Sequence, residues 1–501
     1  MTSSPHSTLF ETSGVPAKTL INPGFDRIKK PWSHQEEALQ RAANLDYFAL
    51  FFETGTGKTL TAIMLARYWM FKAGGALKVL VVSPPITLQN WKREWLEASK
   101  FTESNVRIVY GTALKRSEVF SDKKLQVAIT NYESFLMGGV IAGIKQWKPD
   151  VLILDEVHRC KNPSSKRSKA VYDIAKSVKQ RIIMTGTPIL NTPMDIFAQW
   201  RSLDLGEAFG KNYFEFRGKY FYDKNGRMPA HIHFPKWEIK PAGLQQIKEI
   251  IAPHSMFVAK SDCLDLPPLV KMQVKVQLSG EQRKLYNSMA KDFIAFAESG
   301  VSVARLCLTK SLRLQQIVSG FLTVEGDNGE SSNHEIKDNP RLDALSELLE
   351  DRAEGSKIIV WASFRHNYAQ IAAVCAKLSL PYVEIHGDKT QREKDTAVER
   401  FNKDDSVRVL IGHPGSGGIG INLVSSNVTI FYSRTWNLEH DVQAEARNYR
   451  GGSEIHAKVT RIDLVAEDTI DELVAAKLDE KQGVSDSVVH DLVNILKRGL
   501  L

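Results

Sequence analysis

The stretch FFETGTGKTLTAIML, residues 51–65, decides the fold. Its two glycines, Gly55 and Gly57, let backbone N–H groups close on a phosphate, and the helix-favouring run that follows adds the positive end of a helix dipole. Lys58 is placed to reach β- and γ-phosphates and Thr59 to offer its hydroxyl to Mg2+. Thr54, Gly55, Thr56, Gly57, Lys58 and Thr59 are therefore the expected nucleotide cradle. One place departs from the full phosphate-loop pattern: Phe52 stands where its first glycine belongs. An ordinary glycine-rich turn before a helix is the weaker, alternative reading of the fragment alone.

A chain of 501 residues is long enough for two or more domains, and 43% hydrophobic residues supply a core for each. Lysine and arginine outnumber aspartate and glutamate 66 to 58, a formal charge of +8. Such a balance suits a polyanionic partner, and equally a mildly basic soluble protein. Cys160, Cys263, Cys307 and Cys375 form no CxxC pair, so reduced thiols are expected and a zinc site is not. The start MTSSPHSTLFETSGVPAKTLINPG lacks the basic and apolar regions of a secretory signal, and no apolar run approaches a bilayer span. The expectation is a cytoplasmic protein with no membrane partner.

Short β-branched runs alternate with helical stretches, the rhythm of parallel sheets covered by helices. The runs are ALKVLVVS, LQVAITN, DVLILD and RIIMTG in the first half, and SKIIVWAS, YVEIHG, VRVLIG, NVTIFYS and KVTRIDLV in the second. Ligands gather where such strands end, which marks Ser83, Asn131, Asp155, Thr185, Ser363, His386, Gly412 and Ser433. Pro267 and Pro268 break the rhythm at the expected junction, and helical segments follow from Gly280 to Val318. The expected division is a flexible arm over 1–24, a first lobe over 25–262, a second over 263–480, and a helical tail over 481–501. The polar stretch Gly326 to Pro340 reads as a surface loop or disordered insert.

Some hundred residues after the glycine-rich turn, DVLILDEVHRCKN ends an apolar strand in the pair Asp155-Glu156. Phosphoryl transfer to water needs one carboxylate near Mg2+ and another on the attacking water. Adjacent residues at a strand end can divide that work, Asp155 holding the metal and Glu156 acting on the nucleophile.

The order of GTGKT, DEVH, TGTP, a second glycine-rich turn and QAEARNYR resembles superfamily-two helicase motors. Within them the chain is most similar to the Swi/Snf-like DNA translocases, through WSHQEEAL, VLVVSPPITLQNWKREW, ITNYES, DEVHRCKN, TGTPILN, IHGDKTQREK, GSGGIGINL and RTWNLEHDVQAEARNYR. The likeness runs from Phe25 to Leu473. It implies an α/β fold of two RecA-like, doubly wound parallel-sheet lobes with helical insertions, and use of ATP with Mg2+. It further implies that Gln35 reads the adenine edge and that Arg447 and Arg450, three apart on one face of an expected helix, point at the γ-phosphate. A solvated basic helix face is the other reading of that pair. His158, Thr185, Thr187, Gly418 and Gln443 would couple the nucleotide side to the nucleic-acid side. Two departures, Leu438 after Trp436-Asn437 and Gly451-Gly452-Ser453 after Arg450, bear on DNA coupling rather than on ATP binding.

For a DNA track, amides and hydroxyls at Ser83, Asn131, Tyr132, His386, Gly387 and Ser416 would hold phosphates of one strand without reading bases. GKNYFEFRGKYFYDKNGR, from Gly210 to Arg227, interleaves basic and aromatic side chains and suits either single-strand stacking or core packing. Trp91, Trp95 and Trp200 are expected in the core. The expected activity is a DNA-dependent ATPase that translocates on duplex DNA as a monomer in a bacterial or phage-infected cell. A strand-separating helicase and a nucleotide-gated scaffold without turnover are the alternatives.

Overall fold

The computed structural model describes residues 19–186, 188–189, 192–228, 235–263, 266–298, 304–325, 331–415 and 421–479. The chain divides into two compact units, Met1–Leu264 and Asp265–Leu501, two residues later than the sequence pattern suggests. Among the described residues no helix is long and apolar enough to cross a membrane.

In the first unit the strands are β1 (Tyr47–Phe52), β2 (Val79–Val82), β3 (Val106–Ile108), β4 (Val127–Thr130), β5 (Val151–Asp155) and β6 (Gln180–Met184), followed by a small antiparallel pair, β7 (Phe221–Asp223) and β8 (Trp237–Ile239), and then β9 (Ser255–Val258). Seven of them make one sheet in the order β3-β4-β2-β5-β6-β1-β9. All its pairings are parallel. Parallel strands need crossovers, so helices cover both faces and the strands read as unbroken apolar runs. The period of two sorts their side chains into two cores. Ala49, Phe51, Leu80, Val82, Leu152 and Leu154 face one, and Phe48, Leu50, Phe52, Val79, Val81 and Ile153 face the other. The described end of the expected flexible arm is not loose: Ile21 is buried and the Thr19 amide donates to the Gln40 carbonyl at 3.0 Å.

The second unit holds β10 (Leu269–Val276), β11 (Phe321–Glu325), β12 (Ser331–Glu335), β13 (Ile358–Trp361), β14 (Tyr382–Ile385), β15 (Val409–Gly412), β16 (Val428–Phe431) and β17 (Val459–Ala466). Its sheet has the order β10-β17-β16-β13-β15-β14, again parallel throughout. Helices Gly280–Glu298 and Ala304–Val318 occupy the expected helical stretch. One expectation fails here. Within Gly326 to Pro340, Ser331–Glu335 is a strand, paired antiparallel with Phe321–Glu325.

Candidate nucleotide site and its supports

The glycine-rich turn sits between β1 and the helix Lys58–Ala73. Gly55 and Gly57 take φ of 93° and 82°, a left-handed backbone that glycine adopts without strain. Phe52 needs no such freedom, because it is the last residue of β1 and pairs with Val258. Its buried ring lies edge-on to His34, centroids 5.5 Å apart, and its carbonyl accepts the Lys58 ammonium at 2.7 Å. The Glu53 carbonyl accepts the same ammonium at 3.3 Å.

Two side chains from the helix Ser33–Ala42 brace the turn. His34 Nε2 bonds the Thr56 carbonyl at 2.8 Å, and Gln35 Nε2 donates to the Gly57 carbonyl at 3.0 Å. Gln35 Oε1 accepts the Trp32 amide at 2.8 Å, so the amide is engaged at both ends. A Cβ on Gly57 would stand 2.1 Å from Gln35 Nε2, which leaves glycine as the residue the cradle admits. Burial lowers the His34 pKa beside this turn, against the pull of its bond to the Thr56 carbonyl. Thr59 is partly exposed in the first turn of the following helix, where a hydroxyl ligand is needed. A turn with two left-handed glycines, a helix N-terminus, an ammonium and a hydroxyl together fit a nucleotide phosphate chain with its Mg2+.

The acid pair ends the central strand β5. Asp155 is 4% exposed, and its Oδ2 accepts the Ser83 hydroxyl at 2.7 Å and the Trp91 indole N–H at 2.9 Å. The Asp155 carbonyl accepts the Tyr132 hydroxyl at 2.7 Å. Burial, with the Glu156 charge second, raises the Asp155 carboxyl to about 6 against the pull of those two donors. Glu156 follows in the left-handed region at φ 50°, where a non-glycine backbone is strained. Its Oε2 accepts the Thr185 hydroxyl at 3.2 Å and lies 3.3 Å from His158 Nδ1. His158 Nδ1 and the Thr185 oxygen are 2.9 Å apart. A relay thus runs from Glu156 through Thr185 to His158. Gly186, next in the chain, packs against the phosphate loop, its ideal Cβ 3.3 Å from both the Phe52 carbonyl and the Thr54 amide. Thr187, Ser416 and Gly418 lie outside the described residues.

Four expected track residues are turned inward. Ser83 and Tyr132 are fully buried against Asp155, and Ser83 spends its amide on the Thr130 carbonyl. Asn131 caps the short helix Tyr132–Leu136 and accepts Arg116 at 3.1 Å. His386 is 6% exposed, stacked on Tyr368 at 4.4 Å, and held between Glu384 and Asp388. The side chains of Ser83, Tyr132 and Asn131 bond to partners inside the first unit, and His386 packs on Tyr368 inside the second. Gly387 alone among the described track residues is exposed. Trp91, Trp95 and Trp200 are buried as expected. The indole bond from Trp91 to Asp155 was not legible, because sequence alone does not say where an N–H points.

In the second unit, the helix Leu438–Glu445 carries Gln443, whose Nε2 donates to Glu439 at 2.9 Å. The helix stops before the arginines, so Arg447 and Arg450 do not share a helical face as expected. The Arg447 amide bonds back to Ala444 in a tightened last turn, and the Asn448 side chain donates to the Ser426 carbonyl at 3.3 Å, drawing the chain out of helical register. Arg447 is fully buried. Arg450 Nη1 donates to the Ile421 carbonyl at 3.4 Å.

A buried charge cluster anchors this helix. Asp441 accepts Arg434 Nε at 2.8 Å and Arg461 Nη2 at 3.1 Å. Arg461 also reaches Glu445 at 2.8 Å and Asp463 at 3.0 Å, with its guanidinium 4.1 Å from the Phe431 ring centre. Despite burial, the Arg461 and Lys271 charges pull Glu445 down to about 2.

A phosphate loop after β1, an acid pair closing β5 and a threonine turn after β6 that joins the two define a P-loop nucleotide-binding protein built on RecA-like parallel sheets. The chain belongs to the SNF2-related domain family: residues 35–320 match that domain, and residues 340–452 match the helicase conserved C-terminal domain. It is 25% identical to the CHD3-type chromatin-remodeling factor PICKLE of Arabidopsis thaliana, over 95% of this chain and 34% of that protein. It is 26% identical to the putative protein p41 of Acyrthosiphon pisum secondary endosymbiont phage 1, over 87% of this chain and 93% of that one. The chain spans well under half the length of its eukaryotic relatives. A solved SWI2/SNF2 ATPase core of Sulfolobus solfataricus in complex with dsDNA aligns over 96% of both chains at 22% identity, with a TM-score of 0.44.

Proposed function

We propose that this chain is a DNA-dependent ATPase that translocates along duplex DNA, remodelling forks or protein–DNA complexes without needing to separate strands. The observation that carries the reading is the gathering of the phosphate loop, the acid pair and the threonine turn: Gly186 packs on the Phe52 carbonyl and the Thr54 amide, Thr185 just before it bonds Glu156, and Asp155 is clamped by Ser83 and Trp91.

Mg2+, when bound, neutralises phosphate charge. Thr59 and Asp155 hold it, and Lys58 carries the β/γ-phosphate charge. Glu156, aimed by its left-handed backbone and the Thr185 hydroxyl, accepts the proton of the attacking water. Gln35 uses its remaining donor and acceptor capacity on the adenine edge. Arg447 and Arg450 are the second unit's candidate catalytic charges in turnover. The relay from Glu156 through Thr185 to His158 gives the acid pair a physical link to the rest of the lobe, the kind of connection that turns hydrolysis into movement.

The chain acts as a monomer on sequence-independent phosphate contacts in a bacterial or phage-infected cell, and the match along nearly all of a phage protein supports that setting. A paired assay tests translocation. Triplex displacement from a plain duplex is expected with ATP, and unwinding of a tailed duplex is not. Strong unwinding without triplex displacement would replace translocation by strand separation.

A further inference from the structure

The stretch Gly210 to Arg227, which the nucleotide site does not use, divides into a packed side and an open one. Phe216 and Tyr220 of the helix Tyr213–Tyr220 are buried in the first unit's core. Phe214, on the other side of that helix, is 68% exposed. Arg217 lies over Trp237 of β8, its guanidinium carbon 3.9 Å from the ring centre, with Phe214 at 5.1 Å and Tyr213 at 5.8 Å. Among the described residues no carboxylate pairs with it, and its Nε has no hydrogen-bond partner. The shelf is rigid. The Lys240 ammonium, just past β8, is held at 2.8 Å by the carbonyls of Gly218 and Lys219 at the end of the helix.

The charge around the shelf names its partner. From Lys211 to Lys240 there are seven lysines and arginines against three carboxylates. Of those three, Glu238 is taken by Lys224 and Tyr222, and Asp223 accepts the amides of Asn225 and Lys236. An uncompensated guanidinium on an aromatic face, beside an exposed phenyl ring and inside a basic surface, offers a phosphate contact and a stacking face together. Duplex DNA presents phosphates but keeps the flat faces of its bases stacked, whereas an unpaired strand presents both.

We propose that Phe214, Arg217 and Trp237 form a docking shelf for single-stranded DNA. The shelf takes a base on Phe214 and a neighbouring phosphate on Arg217. It rests on the DNA reading above and adds to it the kind of strand and the place.

The test is binding of a fluorescent oligothymidylate and of a blunt duplex of equal length to the full chain, at several salt concentrations. Phe214→Ala, at an exposed position, is expected to weaken oligothymidylate binding on the order of tenfold and duplex binding less than twofold. Arg217→Gln is expected to weaken oligothymidylate binding and to lower the magnitude of its salt slope by about one. Binding of the oligothymidylate within twofold of wild type by both variants overturns the shelf while leaving the DNA reading intact. Equal losses on both DNAs overturn it as well, since that is the behaviour of a phosphate track. A wild-type chain that binds neither DNA overturns the DNA reading and the shelf with it.

Discussion

Replacing Arg461 by methionine tests how the second unit holds the segment that carries Arg447 and Arg450. The Arg461 side chain is 3% exposed and bonds three carboxylates, on Asp441, Glu445 and Asp463. Methionine keeps much of the volume but removes the charge. Arg434 still serves Asp441 and Asp463, whereas Glu445 is left with Lys271, half exposed and screened by water. Breaking a buried ion cluster from one side costs about 3–5 kcal/mol, because the remaining charges stay desolvated. Removing Asp463 as well, in Arg461→Met with Asp463→Leu, should recover part of that loss, giving a coupling of about 1–3 kcal/mol. The two units need not unfold together, so the readout is hydrogen exchange of the β17 peptide as urea rises. A loss under about 1 kcal/mol, or a double variant that loses the sum of its parts, would refute the anchoring argument. The same variant should be less acid-sensitive. Glu445 is depressed to about 2 in the folded protein from an ordinary 4.5, so its contribution is present above 4.5 and lost as pH falls toward 2, and without Arg461 its folded value lies nearer 4.5, leaving less stability to lose across that window.

Trp91→Phe removes one donor from the buried Asp155 carboxylate and should cost about 1.5–3 kcal/mol of first-unit stability, read by denaturant titration; an unchanged midpoint would detach the indole from that role. Gly57→Ala puts a methyl 2.1 Å from Gln35 Nε2 at φ 82° and should abolish ATP binding in a fluorescent-nucleotide titration while the fold persists; normal binding would mean that the turn is not the cradle. His413, lowered to about 4 by burial and by the charges of His440 and His386, accepts the Gly415 amide through Nδ1 at 2.9 Å. Its neutral form is the one the fold favours, so stability is full above about pH 6.5 and falls as pH drops toward 4. Melting temperatures across that window should fall less in His413→Asn than in wild type, and parallel curves would count against the assignment.

The apolar runs made most of both parallel sheets legible, because strands buried on both faces have nothing to alternate with. The strand β10 was harder to see. LVKMQVKV follows two prolines at a sheet edge, and most of its side chains are exposed, so polar residues interrupt the signal. Ser331–Glu335 was invisible for a related reason: it carries no apolar residue, and its pairing rests on the backbone ladder and a Thr323 hydroxyl bond to Asn333. The phosphate loop and acid pair could be read from spacing, since they rest on backbone geometry and on residues adjacent in sequence. The supports could not. Ser83 was read as a surface hydroxyl, yet a side chain just past a central strand can turn inward to an acid on the neighbouring strand, and here it does. The helix end at Glu445 escaped notice because Arg447 and Arg450 fit a helical period that a tightened turn and the Asn448 bond interrupt.

The most direct measurement of the central claim is the rate of phosphate release from Mg·ATP at saturating duplex DNA, with wild type and Glu156→Gln side by side. The amide keeps the shape of Glu156 but cannot accept the proton, so the variant should retain ATP binding while its DNA-stimulated turnover falls at least a hundredfold, roughly the contribution of a general base. Wild-type release that DNA does not stimulate, or a Glu156→Gln variant that turns over at the wild-type rate, would contradict the account.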